Sequence, residues 1–163
     1  FLIALGSKYV AEAARLVHTL RSAGRDTHPA AVLVLASDVP AADVTGVFDR
    51  VIAYEPKRHL SDGLDALTRT DHERFNILPR LRATDYAPYR EFVMLDTDVL
   101  CSAPTAPVWQ RFRHSGQAVA APGLKRDCKW HFGTVCEVGK GLGMDLPHVH
   151  AGAVYYNTAP GAA

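Results

Sequence analysis

Asp96 and Asp98 are the residues of this sequence whose type and spacing best suit chemistry. They follow the apolar run 92–95 directly, and Val99 and Leu100 come next. Two unpaired carboxylates are costly to bury at such a place. On an extended chain, residues two apart point the same way and lie about 7 Å from each other, so one divalent cation with bound phosphate oxygens could bridge them.

The chemistry that this pair predicts is the handling of a diphosphate. Oxygen ligands favour Mg²⁺ or Mn²⁺, and such a cation neutralises a diphosphate leaving group and helps it depart. The alternative is a solvated turn between two strands, in which Asp98 caps the next turn. That alternative leaves the apolar Val99 and Leu100 in an exposed loop. The position of the acids after a hydrophobic strand therefore favours a metal or nucleotide site.

Other groupings of reactive residues give weaker signals. The densest cluster of cysteines and histidines matches no spacing typical of a zinc site. The glycines around Lys140 are followed by no Ser or Thr, so a P-loop is not indicated, and Gly6 opens no Gly-x-Gly-x-x-Gly fingerprint. The members of the cysteine and histidine cluster are Cys128, His131, Cys136, His148 and His150.

Alternating strands and helices are predicted to position the acids. Apolar residues from position 10 to 20 keep helical spacing, with Ser7 as the N-cap and Gly24 as the stop. Residues 57–71 are predicted as a loop. The pattern predicts an α/β sandwich with a mainly parallel central sheet flanked by helices, in which ligands bind beyond the carboxyl ends of the strands. Predicted strands are 1–5, 31–36, 49–54, 91–95, 117–121 and 151–156, and further predicted helices are 41–46, 73–86 and 107–113.

Length and composition predict one globular domain over residues 1–163, with a mass of 17.7 kDa. Eighteen basic residues stand against 17 acidic ones, and the net charge of +1 argues against nucleic acid as a partner. No apolar run is long enough to span a membrane. Three cysteines without a Cys-x-x-Cys pair favour a reducing compartment such as the cytoplasm. Since the chain begins with Phe1 inside an apolar run and stops at Ala163, just past another strand-like run, we expect a segment of a longer protein, incomplete at its carboxyl end.

Several segments in chain order carry a family resemblance. In order, they resemble an opening strand with a nucleotide-binding turn, the second and third strands, a Lys/Arg-Leu pair, the sequence around a DxD motif, and a strand followed by an Asn-Ser/Ala-Gly-Val segment. They are residues 1–9 (FLIALGSKY), 32–35 with 48–54, Arg80 with Leu81, 89–100 (YREFVMLDTDVL), and 118–122 with 150–155 (HAGAVY). The sequence thereby resembles the retaining glycosyltransferases of family 8, the glycogenin and lipopolysaccharide galactosyltransferase group, which have the Rossmann-like GT-A fold.

The resemblance implies roles for the charged residues. Asp96 would contact the donor ribose and the metal, and Asp98 would be the main metal ligand beneath the diphosphate. Arg80 would meet the donor's phosphate or sugar, where a permanently charged guanidinium suits phosphate oxygens. The implied catalytic residues are these three, and the implied metal ligands are the two aspartates.

The resemblance also implies a donor-binding surface. Leu5, Gly6 and Tyr9 would line the uracil or other base, with Tyr9 supplying a stacking face. The segment His150, Ala151 and Gly152 would lie near the transferred sugar and the acceptor.

The sequence departs from the family pattern in two places, and both affect the residue roles that the resemblance implies. His150 stands where the family usually has Asn. The third metal ligand of the family is a histidine in a His-x-x-Gly segment, which this chain lacks. Three explanations stay open: the protein continues beyond this segment, the site is completed by His148 or His150, or the protein binds sugar nucleotide weakly or not at all.

The function that the resemblance implies is transfer of a hexose from a nucleoside diphosphate sugar, such as a UDP-sugar, to a hydroxyl of a glycan, protein or small-molecule acceptor. It implies dependence on Mn²⁺ or Mg²⁺ and retention at the anomeric carbon. One alternative is a nucleotidyltransferase that forms sugar nucleotides, which should carry a Gly-rich loop with Arg or Lys after the first strand, and residues 6–9 lack one. Another is a non-catalytic module that binds sugar nucleotide.

Overall fold

The computed structural model describes residues 1–55, 79–80, 82–120, 129–130, 133–134 and 152–159. Within these ranges strands and helices alternate along the chain, as the apolar pattern predicts. No helix in the described ranges is long and apolar enough to cross a bilayer. The loop predicted at 57–71 lies outside them, as does half of the helix predicted at 73–86, of which residues 79–80 and 83–86 are described and helical.

A six-stranded sheet forms the centre of the fold, and its strands are β1 (Leu2–Ala4), β2 (Ala31–Leu35), β3 (Arg50–Tyr54), β4 (Glu91–Leu95), β5 (Val119–Ala120) and β8 (Ala153–Asn157). Their order across the sheet is β3-β2-β1-β4-β8-β5. The first four in this order run parallel, whereas β8 is antiparallel to both of its neighbours. The predicted mainly parallel sheet is therefore confirmed. Two further strands, β6 (Lys129–Trp130) and β7 (Gly133–Thr134), pair with each other.

Four α-helices and one 3-10 turn lie within the described ranges, where residues 79–80 are helical as well. Pro40 and Pro107 each lie in the first turn of a helix, where the missing N–H costs nothing. These helices therefore begin one or more residues before the predicted starts at 41 and 107. The helices are α1 (Ser7–Ser22), α2 (Val39–Thr45), α3 (Ala83–Tyr86) and α4 (Ala106–Ser115), and the 3-10 turn is Ala36–Asp38.

The helix α1 buries one face, as its apolar spacing predicts, through Val10, Ala13, Leu16 and Val17. The prediction of Ser7 as its N-cap is wrong. Gly6 occupies that position with a φ of 128°, and no side chain caps the helix.

Apolar residues cover both faces of the sheet. In β1, Ile3 packs in one cluster and Leu2 in the other, because successive strand residues point to opposite faces. The helices α1 and α2 lie on the Leu2 side. All of β2 except Leu35 is fully buried, which is typical of a central parallel strand between two layers.

Candidate functional site

Asp96 is the first residue beyond β4, and the predicted pair of acids begins there. Its backbone N–H donates to the carbonyl oxygen of Gly152 at 3.0 Å. Thr97 and Asp98 then form a turn, in which Thr97 is buried and Asp98 is exposed. Since the chain turns at Thr97, the extended-chain separation of about 7 Å does not describe these two acids.

Arg80 forms an ion pair with the carboxylate of Asp96, sixteen residues further along the chain. The two side chains are 35% and 26% exposed, so the pair is only partly screened by water. The sequence predicts that a metal ion balances the charge of Asp96. In the structure, the guanidinium of Arg80 balances part of that charge.

The chain leaves β1 through Leu5 and Gly6 and enters α1. Leu5 is buried in the core, and Tyr9 is partly buried on the opposite side of the sheet. The N–H of Tyr9 donates to the carbonyl oxygen of Gly6 at 2.9 Å, which closes the first turn of the helix. The ammonium of Lys8 lies 5.8 Å from the centre of the Tyr9 ring.

Sheet topology brings these segments to one edge. β1 and β4 are parallel neighbours, so residues 5–9 and 96–98 both follow carboxyl ends at the same edge. β8 is antiparallel to β4, and its first residue pairs with Leu95, so Gly152 lies at that edge too. The topology therefore places five of the predicted site residues at the same edge of the sheet as Asp96. They are Leu5, Gly6, Tyr9, Asp98 and Gly152, and Arg80 joins them through its ion pair.

Some of the predicted site residues lie outside the described ranges. They are His150 and Ala151, and the cysteine and histidine cluster, which was not predicted as a zinc site, lies outside these ranges as well. Their roles stay predictions.

The donor set at this edge suits a cation that phosphate oxygens help to hold. Asp98 offers an exposed carboxylate, and Asp96 a second one that is shared with Arg80. The described residues contain no group of three or more His, Cys, Asp or Glu that could hold a metal ion. Mg²⁺ is commonly bound by one or two carboxylates plus substrate phosphates, so two aspartates fit this mode and not a cage built by protein alone.

Glu12 is a residue of this region that the sequence interpretation did not single out. Its side chain is 14% exposed, and one carboxylate oxygen lies 3.5 Å from the hydroxyl of Thr97. The sequence does contain an indication that Glu12 faces the sheet, because Glu12 stands four residues before the buried Leu16 and so shares its face of α1.

An apolar cavity of about 230 Å³ lies between α1, β4 and α4, and residues next to Asp96 and Gly152, Leu95 and Ala153, are part of its lining. Its lining is nearly all hydrocarbon and offers little that would recognise a diphosphate, so we do not assign the donor to it. Among its lining residues are Leu16, Leu20, Val93, Leu95, Val108 and Phe112.

Solved glycosyltransferase structures share this fold. The galactosyltransferase LgtC, in complex with donor and acceptor sugar analogues, superposes with a TM-score of 0.65 and 18% identity, over 96% of this chain and 57% of LgtC. Mouse xyloside xylosyltransferase 1 gives a TM-score of 0.60 and 12% identity, over 96% of this chain and 66% of that protein. The bifunctional glycosyltransferase WbbM gives 0.57 and 13%, over 96% of this chain and 31% of WbbM.

The likeness extends to three-dimensional structure rather than to sequence. No protein-family model and no curated protein sequence matches the chain. The chain spans 57% and 66% of the length of the first two structures. At identities this low the likeness concerns the fold, and it confirms a Rossmann-like α/β sandwich of the GT-A type.

Proposed function

We propose that this chain is the donor-binding part of a glycosyltransferase that uses a nucleoside diphosphate sugar. The observation that carries the proposal is the position of Asp96, in contact with both Arg80 and Gly152. These three residues are far apart in sequence, and the family resemblance implies a place for each of them in the donor site. Their meeting at the carboxyl edge of a GT-A sheet supports one common site.

The more specific part of the proposal is membership of the retaining glycosyltransferases of family 8. LgtC supports it, because that structure contains donor and acceptor sugar analogues on the same fold. The DxD line at 89–100 supports it as well. We propose a UDP-sugar as donor, a hexose as the transferred group and a hydroxyl as acceptor.

The residues of this chain have distinct roles in the proposed site. Tyr9 offers a ring to the base, and Gly6 allows the close turn that places it. Asp98 and Asp96 hold the cation, either Mn²⁺ or Mg²⁺, which offsets the negative charge of the diphosphate when bound. Arg80 meets the phosphate or sugar while it balances Asp96, since a guanidinium has donors for more than one partner.

The proposed transfer is an exchange of one carbon–oxygen bond for another. The bond between the anomeric carbon and the diphosphate oxygen breaks, and the electron pair stays on the diphosphate. The acceptor oxygen forms the new bond on the same face of the sugar. Its proton passes to the departing phosphate oxygen, so atoms and charges balance without a carboxylate nucleophile. Arg80 would stabilise the charge that develops on the leaving group.

Calorimetric titration with UDP, in the presence and absence of Mn²⁺, tests the proposal. We expect Mn²⁺ to raise the affinity for UDP about ten-fold or more, which corresponds to roughly 1.4 kcal/mol. Asp98→Asn should abolish this increment, because the amide removes the charge that holds the cation. Asp43→Asn is a matched control, since Asp43 is an exposed aspartate of α2 and the charge change is the same.

Other outcomes would replace the proposal. Tighter binding of a nucleoside triphosphate than of UDP would favour the nucleotidyltransferase. Absence of binding by either nucleotide would make this chain a module without a donor site.

A further inference from the structure

The segment that follows the two acids runs along α1 and is bound to it at several points. The hydroxyl of Thr97 donates to a carboxylate oxygen of Glu12 at 3.5 Å. The backbone N–H of Cys101 donates to the hydroxyl oxygen of Thr19 at 3.0 Å. Both acceptors are side chains of α1, so the attachment depends on the residue types at these two positions of the helix.

The same segment is attached again just beyond the end of α1. The N–H of Thr105 donates to the carbonyl oxygen of Gly24 at 3.0 Å. Its hydroxyl donates to a carboxylate oxygen of Asp26 at 2.8 Å. The 97–105 segment is thus held from the acidic turn to the start of α4.

The stretch of α1 from Glu12 to Thr19 is nearly as long as the chain from Thr97 to Cys101 that is bound to it. Glu12 and Thr19 are two helical turns apart, which corresponds to about 10.5 Å along α1. Their partners Thr97 and Cys101 are four residues apart, which spans at most about 13–14 Å of extended chain. The segment therefore follows the helix with little slack.

Close packing at Gly24 also indicates that the 97–105 segment lies tightly against the end of α1. A Cβ on this residue would lie 2.8 Å from the sulfur of Cys101 and 2.5 Å from the carbonyl oxygen of Leu20. Such distances leave no room for a side chain between the end of α1 and the 97–105 segment.

Asp98 needs support of this kind because the strand ladder ends before it. β4 stops at Leu95, and Asp98 lies in the turn beyond with its side chain exposed. Its neighbour Thr97 is 7% exposed, and a buried hydroxyl without a partner is costly. The partner that the structure gives this hydroxyl on its buried side is Glu12, at 3.5 Å, which is longer than the usual length of about 2.5–3.0 Å for such bonds.

We propose that Glu12 and Thr19 are positioning residues for the cation and diphosphate site. Through Thr97 and Cys101 they hold the 97–105 segment on α1, and they thereby set the place of Asp98 relative to Asp96. This inference rests on the proposed function. It adds a second role for α1, which carries Tyr9 in its first turn and also holds the turn that contains Asp98. The residues that bind the base and those that bind the diphosphate are therefore attached to the same helix.

The first experiment measures UDP affinity with and without Mn²⁺ for Thr97→Val, which keeps the shape of Thr97 and removes its hydroxyl. We expect affinity in Mn²⁺ to fall about three- to ten-fold, the effect of one hydrogen bond, and affinity without Mn²⁺ to stay unchanged. Thr97→Ser restores the hydroxyl and should restore the affinity. Glu12→Gln keeps an acceptor oxygen and should bind better than Glu12→Leu. A merely structural role would not confine the loss to the metal-dependent part.

The second experiment needs no ligand. Hydrogen exchange of the Cys101 amide should become about ten-fold faster in Thr19→Val, because the acceptor of that N–H is removed. Thr45→Val is a matched control, since the hydroxyls of Thr19 and Thr45 both donate to the carbonyl oxygen three residues earlier, at 2.8 and 2.7 Å, and Thr45 lies in α2. The Cys101 amide should exchange at the wild-type rate in that control.

The outcomes separate the two claims. If the wild type binds UDP with Mn²⁺ and Thr97→Val binds it equally well, the positioning role is wrong and the proposed function stands. An unchanged exchange rate of Cys101 in Thr19→Val overturns the attachment itself. If the wild type binds no UDP, the proposed function is wrong and the positioning role is overturned with it, while the exchange rate still reports whether α1 holds the segment.

Discussion

The two acids of the motif differ in their surroundings. Asp96 is partly buried, bonded through its backbone to Gly152 and through its carboxylate to Arg80. Asp98 is exposed in the turn. A cation approaching this edge therefore meets one carboxylate already shared with a guanidinium and one still open to water. Because of this difference, we expect Asp98→Asn to lose more of the Mn²⁺-dependent affinity for UDP than Asp96→Asn.

Arg80→Gln tests the role of the guanidinium. We expect UDP affinity in Mn²⁺ to fall about ten-fold, since hydrogen bonds to charged groups contribute roughly 1.5–3 kcal/mol. Arg80→Lys keeps the charge and should lose less. Calorimetry measures both, with Arg21→Gln as control, because Arg21 forms a more exposed ion pair with Asp49 at 2.8 Å. An Arg80→Gln variant with wild-type affinity would show that Arg80 serves Asp96 alone.

The sequence pattern indicates the two acidic residues, but it does not indicate which side chains contact them or their turn. Asp96 and Asp98 stand out because they interrupt an apolar run. The ion pair with Arg80 and the contact of Glu12 with Thr97 depend on tertiary placement, which local patterns do not specify. Family resemblance pointed to Arg80 as a donor contact, and it gave no indication of Glu12.

Among the elements, the turn from β1 into α1 depends on one backbone conformation. Gly6 has a φ of 128°, in a region that residues with a side chain rarely adopt. Its carbonyl oxygen accepts the N–H groups of Tyr9 and Val10 at 2.9 and 3.2 Å. The turn thus sets where Tyr9 lies at the sheet edge.

Gly6→Ala should strain this turn. We expect a loss of about 1–3 kcal/mol in the free energy of unfolding, because the residue must keep a sparsely populated conformation or shift the turn. We also expect weaker binding of UDP, since Tyr9 moves with the turn. Urea unfolding and calorimetry measure the two effects.

A matched control is Gly116→Ala at the end of α4, where φ is 66° and a Cβ would meet nothing within 4 Å. It should lower stability by about 1–2 kcal/mol and leave UDP binding unchanged. Equal effects of the two variants on UDP binding would contradict a specific role for the turn at Gly6.

Most elements could be predicted from apolar periodicity, and their ends could not. The buried face of α1 followed from spacing, but the N-cap assigned to Ser7 belongs to Gly6, whose φ no side-chain pattern reveals. The helices α2 and α4 each begin one residue before a proline, Pro40 and Pro107, because the first turn of a helix tolerates proline.

Across the whole molecule, Glu91 joins three elements at the opposite edge of the sheet. It begins β4 and accepts hydrogen bonds from Arg113 of α4, from Nε at 2.8 Å and from a terminal nitrogen at 3.0 Å. It also accepts the hydroxyl of Tyr155 in β8 at 2.9 Å. The hydrogen bond from Arg113 outweighs burial and, together with that from Tyr155, lowers the pKa of Glu91 below its ordinary value of 4.5.

This network predicts how stability responds to acid. Because the folded-state pKa of Glu91 is depressed, its contribution is fully present above pH 4.5 and is lost as pH falls through the folded-state pKa. Glu91→Gln should therefore be less stable at neutral pH and lose stability less steeply below pH 4.5. Urea unfolding of both proteins between neutral and acid pH measures this. Parallel curves for the two proteins would contradict the assignment.

The topology of the sheet was only partly accessible to sequence reasoning. Uninterrupted apolar runs such as Ala31–Leu35 predicted parallel central strands. The run at 151–156 predicted a strand but not its direction, because alternation within a strand is the same in either orientation. The antiparallel insertion of β8 beside β4 is what brings Gly152 to Asp96.

The most direct test of the account is paramagnetic broadening by Mn²⁺ in the presence of UDP. In ¹H–¹⁵N spectra of the labelled protein, a small amount of Mn²⁺ should broaden the amide signals of residues 5–9, 96–98 and Gly152, and leave those near Glu91 sharp. Asp98→Asn should restore the broadened signals. Broadening centred elsewhere in the chain, or none when UDP is present, would contradict a cation and diphosphate site at this edge of the sheet.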